Sequence, residues 1–196
     1  MKKLDYNQGF TLVETLIAIL ILSMTIGALM TLAANGFFSV RYARNDIVAS
    51  SLLQESLEAV RNNRDTWIQQ GKTWEDWKIN FGAPEKIFCF DDRGCIVDVY
   101  PLDPSEDTAI SIRACSTSCP ALKYFTTNNL YGYYPSMLHP SSDTTDVITT
   151  TFVRTITMKE SEDGNQVIVS ARMDWKNGTA SKYTTQSIIL TNLFNE

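Results

Sequence analysis

The sequence predicts an α+β fold. One long N-terminal helix, membrane-spanning over its first half and amphipathic over its second, packs against a C-terminal antiparallel β-sheet. Three observations predict it. From Phe10 to Val40 the only charged side chain is Glu14. Helical spacing of apolar residues then continues to about Trp67, with no proline before Pro84. Beyond residue 148 the chain alternates apolar and polar positions in segments separated by turn residues, the period-2 pattern of half-buried strands.

The first element is the apolar run. Thr15 to Ala34 supplies twenty uncharged residues, enough to cross ~30 Å of hydrocarbon as a helix. A secretory signal peptide has an apolar centre of only ~7–15 residues followed by a small-x-small cleavage site. Here the run is longer, and Ala33-Ala34-Asn35-Gly36 is a weak cut site. A carboxylate inside such a run is costly unless something pairs with it. Glu14 is therefore a candidate functional residue, and its partner has to be found. Ahead of it stands a short polar leader, MKKLDYNQG, carrying Lys2 and Lys3 and ending on Gly9.

Lys-Lys near the start, Gly9 followed by Phe10-Thr11-Leu12, and Glu14 opening a long apolar helix resemble the class III signal of type IV pilins and pseudopilins. The resemblance implies a leader, residues 1–9, cleaved after Gly9 by a prepilin peptidase, and N-methylation of the new first residue, Phe10. It implies that Glu14 meets the Phe10 amine of a neighbouring subunit in a filament, where low dielectric strengthens the attraction. Residues 10–40 are then the transmembrane and assembly helix, and residues 41–196 the globular part.

The amphipathic half of the helix, 41–67, changes face. Val40, Ala43 and Ile47 form one short apolar stripe. Leu53, Leu57, Val60 and Trp67 form a second, with Gln54, Glu58, Arg61 and Asp65 opposite it. At 100° per residue the two stripes point nearly opposite ways, so the far half is expected to bury against the globular part. Next, Thr73 caps a short helix begun by Trp74-Glu75-Asp76-Trp77. A hairpin is expected over 86–100, turning through Asp91-Asp92-Arg93-Gly94. The adjacent aspartates lack the alternating ligand pattern of a calcium loop, and no metal or cofactor is expected.

Residues 101–145 read as loop-rich. Within them Tyr131, Tyr133 and Tyr134 are candidate surface contacts, since loops on a scaffold often carry recognition; a loop anchored by its own aromatics is the alternative. A three-stranded meander is expected over 149–193. In it Val167, Val169, Ala171, Met173 and Trp175 share one face, and Asn177-Gly178 marks a tight turn. The order Phe152-x-Arg154-x-Ile156, then Met173-Asp174-Trp175, then Ile188-Ile189-Leu190 also resembles the ending of PilV-like minor pilins.

The four cysteines, Cys89, Cys95, Cys115 and Cys119, lie in the part expected outside the cytoplasm, where paired cysteines read as disulfides. Four cysteines allow three connectivities. The local pairs Cys89–Cys95 and Cys115–Cys119 are favoured over crossed pairing, and over a zinc site whose gaps are normally two to four residues.

No enzyme is expected. The one histidine, His139, sits beside Pro140, and no phosphate-binding loop, nucleophile elbow or zinc-helix motif occurs. A net charge of −5 and the absence of any basic cluster beyond Lys2-Lys3 and Arg41/Arg44 argue against nucleic acid and against a general role in binding anionic lipid. The resemblance implies a structural minor pilin. Its partners would be other pilin subunits, the prepilin peptidase and the membrane assembly machinery. It would sit in the cytoplasmic membrane with its globular part outside, then in an extracellular filament. The alternatives are a pseudopilin of a type II secretion or DNA-uptake system, and a membrane-anchored surface adhesin.

Overall fold

The computed structural model describes residues 9–85, 87–99, 110–133 and 146–193. The fold is α+β, as the sequence predicts. A long helix, α1 (Leu12–Gln69), is followed by a short helix, α2 (Trp74–Asn80), and a single 3₁₀ turn, Phe88–Phe90. Among the described residues seven strands follow: β1 (Cys95–Asp98), β2 (Ser111–Ala114), β3 (Ala121–Phe125), β4 (Leu130–Gly132), β5 (Val147–Glu160), β6 (Gln166–Asn177) and β7 (Ala180–Thr191). The chain divides into two units, residues 1–45 and 46–196.

In the second unit, β5 is the spine of one antiparallel sheet. Along one edge it pairs with β6, which pairs in turn with β7. Its other edge is shared: β3 lies along its first half and β1 meets it at Ile156, with β4 and β2 outside them. Alternation sets the inward face. Phe152, Arg154, Ile156 and Met158 of β5 are buried, as are Val167, Val169, Ala171, Met173 and Trp175 of β6 and Leu190 of β7. The helix side of this core is Ala49, Leu52, Leu53, Leu57 and Val60, with Trp67 packed at its margin. The stripe of Val40 and Ile47 stays exposed. Burying such side chains contributes ~1.5–3 kcal/mol each, which holds the outer part of α1 on the sheet.

The tight turn between β6 and β7 has Gly178 (φ +63°) as the first of its two loop residues, with Asn177 paired to Ala180. That is the glycine-first arrangement suited to a type II′ hairpin. Helix α2 starts as its sequence predicts. Thr73 Oγ1 accepts from Asp76 N–H, and the Asp76 carboxylate accepts from Thr73 N–H, a complete capping box.

Two expectations are corrected. Of the hairpin expected over 86–100, the described residues 87–99 hold no two strands paired with each other. The segment before the turn coils into the 3₁₀ turn, with Phe88 at φ +48°, and a disulfide ties Cys89 to Cys95, six positions apart. β1 takes its partners instead from β2 and β5. Within the region read as loop, β2, β3 and β4 complete the sheet; their lengths of four, five and three residues are too short for periodicity to reveal.

Candidate processing and assembly site

The site is built on the first unit. Gly9, Phe10 and Thr11 precede the helix and are exposed. Thr11 then caps it: its Oγ1 accepts from Glu14 N–H at 3.3 Å, and its carbonyl accepts from Thr15 N–H at 3.2 Å. A threonine cap followed three residues later by glutamate is a standard helix-start pattern. The Gly9–Phe10 bond thus lies in non-helical backbone immediately before the capped turn. A Cβ placed on Gly9 would meet nothing within 4 Å among the described residues, so no packing among them demands glycine there.

Glu14 stands in the first turn of α1, where the helix dipole favours a negative charge. Among the described residues no cation pairs with it. Beyond it the helix presents apolar side chains all round. An 18-residue window reaches a mean hydropathy of 2.4 with none of its residues buried. The hydroxyls in this stretch are satisfied within the helix. Thr15 and Ser23 donate to the carbonyls of Leu12 and Leu20, and Thr25 and Thr31 to those of Leu22 and Gly27. Such internal pairing is what a polar group in hydrocarbon requires. Length and composition suit the helix to cross a membrane.

The remaining predicted residues lie in the second unit. The sulfurs are joined locally, Cys89 to Cys95 and Cys115 to Cys119, and no free cysteine remains among the described residues. Asp91 accepts from the backbone N–H and the guanidinium of Arg93, which hold its carboxyl down to about 2. That carboxylate is occupied by the turn itself. No cluster of metal-ligating side chains occurs among the described residues.

The tyrosine trio does not form one exposed surface. Tyr133 is 2% exposed. Its N–H donates to Asp98 Oδ2 and its hydroxyl to the Arg154 carbonyl, at 3.1 and 3.2 Å, and burial pushes the phenol upward from its usual range. As a surface contact it is corrected: the ring sits in the core because β4 returns the chain to the sheet. Tyr131 is half-buried against Phe152. Tyr134 and His139 lie outside the described residues.

The sequence reading passed over a buried polar cluster. Arg154, 1% exposed, donates to the carbonyls of Leu52 on α1 and Val97 on β1, at 2.8 and 2.7 Å. Glu55 lies 3.7 Å from the same guanidinium. The signal was present: Arg154 falls in the inward register between Phe152 and Ile156.

Residues 4–34 match the family model of the prokaryotic N-terminal methylation motif. The motif supports a type IV pilin-like chain. It carries with it processing by prepilin peptidase, and it is of a kind shared by pilins and pseudopilins. No curated protein and no solved structure gives a match.

Proposed function

We propose that this chain is a structural minor pilin of a type IV pilus-like filament. It is held in the cytoplasmic membrane by α1, cut between Gly9 and Phe10, N-methylated at Phe10 and assembled through its apolar helix. The observation that carries this reading is the start of α1, where an exposed, non-helical Gly9-Phe10 precedes a capped helix with an uncovered apolar surface. Cleavage would place a positive amine at Phe10, four residues from Glu14. Inside a bundle of such helices, Glu14 of one subunit and the Phe10 amine of another attract strongly. Their pairing fixes the axial register between subunits more than it adds net stability. Support for the minor role comes from the resemblance of the last three strands to the ending of PilV-like minor pilins.

The deciding experiment takes the protein from membranes of its own host, with the peptidase active, and determines the mass of its N-terminal peptide. A chain beginning at methylated Phe10 is expected; one still beginning at Met1 overturns the proposal. Glu14→Ala is expected to be processed normally yet to enter filaments about a hundredfold less, the scale of stranding one buried charge. Unchanged incorporation would remove the role given to Glu14.

A further inference from the structure

The apolar run is longer than a bilayer needs, and its outer end carries a second constellation. Thr15 to Ala34 already spans ~30 Å as a helix, yet the next charge comes only at Arg41. In between stand Phe37 and Phe38, 73% and 58% exposed. Tyr42, Arg41 and Arg44 follow, all exposed on the same continuous helix. Arg41 lies four residues after Phe37 and three before Arg44, so the three share one face. Among the described residues neither arginine forms an ion pair with a carboxylate.

We propose that Phe37, Phe38, Tyr42, Arg41 and Arg44 form a collar that docks α1 on the headgroup layer of an anionic bilayer, at the face opposite the leader. The inference rests on reading α1 as a membrane anchor and adds where it stops and which lipid holds it. With Ala34 at the edge of the hydrocarbon, Arg41 lies ~10 Å further along the helix axis. The interfacial layer extends ~5–8 Å from that edge. Helical side chains lean toward the helix N-terminus, so the Arg41 guanidinium reaches back to the phosphate plane, with Arg44 about one turn further out on the same face. Each offers a planar fork that matches phosphate geometry. The aromatic rings occupy the layer between, the depth that amphipathic rings prefer. The charges are complementary: two cations on one face against a surface of lipid phosphates, worth ~1 kcal/mol for each arginine near an anionic surface. This is a local anchor of two arginines, not a general basic footprint.

The test uses the full-length chain with its disulfides intact, in vesicles of phosphatidylcholine alone and of phosphatidylcholine with one quarter phosphatidylglycerol. A spin label is placed in turn at Ala34→Cys, Ser39→Cys, Ala43→Cys and Ile47→Cys. Collision with oxygen and with a water-soluble nickel complex reads the depth of each. The crossover from lipid to water is expected between positions 39 and 43, and sharper with phosphatidylglycerol. In Arg41→Gln/Arg44→Gln it is expected to move outward by about one turn, ~3–4 residues, and to ignore lipid charge. An unchanged crossover in both lipids overturns the proposal. So does a crossover that shifts with protein-to-lipid ratio, because the arginines would then be meeting another copy of the chain. A label at 34 that reads as water-exposed would reject the anchor itself, a result separable from loss of the collar alone.

Discussion

Arg154 joins helix and sheet by more than apolar contact. Its guanidinium donates to one carbonyl of α1 and one of β1, and the Tyr133 hydroxyl donates to the Arg154 carbonyl. Glu55 faces this cation from the helix, and Asp98 stands beyond. Burial raises the Glu55 carboxyl above its ordinary value of 4.5, Arg154 opposes that rise, and Asp98 adds to it. The sign follows directly. As pH rises through 4.5 the unfolded chain loses the Glu55 proton first, so stability falls until the folded value is passed and then levels off. Glu55→Gln, which keeps the neutral shape, is therefore expected to be more stable than the parent at pH 7, by no more than ~1 kcal/mol for so partly exposed a pair. The gain should vanish below the unfolded value. Urea midpoints of both chains in detergent at pH 7 and pH 4 check this, and a parent that gains stability on going from pH 4 to pH 7 relative to Glu55→Gln contradicts it. Arg154 was legible only as an oddity of register, because a sequence shows that a charge points inward but not which carbonyls await it.

At the scale of elements, the long strands were legible and the short ones were not. β6 alternates without fault from Val167 to Trp175, and burial follows that alternation. β1 could not be placed from sequence, because its partners come from residues 111–114 and from Ile156. Its position depends on Gly94, which holds φ +72° directly before Cys95, with its own N–H bonded to the Asp91 carbonyl. A Cβ there would stand 2.6 Å from the Ile156 carbonyl oxygen and 2.7 Å from Thr155 Cγ2. The first of these is backbone of the central strand and has no easy way to yield. Gly94→Ala is therefore expected to cost ~2–4 kcal/mol, left-handed strain and steric conflict together. Gly178→Ala makes the matched comparison: its φ is +63°, but nothing lies within 4 Å of the added carbon, so strain alone at ~1–2 kcal/mol is expected. Urea unfolding of the two oxidised variants, run side by side, measures the difference. Equal losses would show that the close approach of Gly94 to β5 contributes nothing.

For the whole molecule, the division near residue 45 separates two kinds of solvent requirement. Among the described residues up to Arg44 none is even partly buried, and the buried residues of the helix begin at Ala49. The apolar surface of the first unit must be covered by lipid or by other helices, and this much was legible because hydrophobic length is a one-dimensional property. What Glu14 meets was not legible, since the sequence shows a carboxylate in an apolar run and nothing that would face it. The second unit holds a continuous core, both disulfides and every ion pair found among the described residues. Removal of residues 1–45 should then leave every residue of that core in the chain. A chain of residues 46–196 is expected to be water-soluble, to form both disulfides, and to unfold in one transition. Its thermal midpoint should fall within ~4 °C of that of the full chain in detergent, the equivalent of less than ~1 kcal/mol. The helix would lose only its approach to Ala49, and fraying of a first turn is a small local cost. Circular dichroism melts of the two proteins decide the matter. A fragment that aggregates, or that melts far below the full chain, would mean that the second unit does not hold its fold without residues 1–45, and the division into two independent units would have to be abandoned.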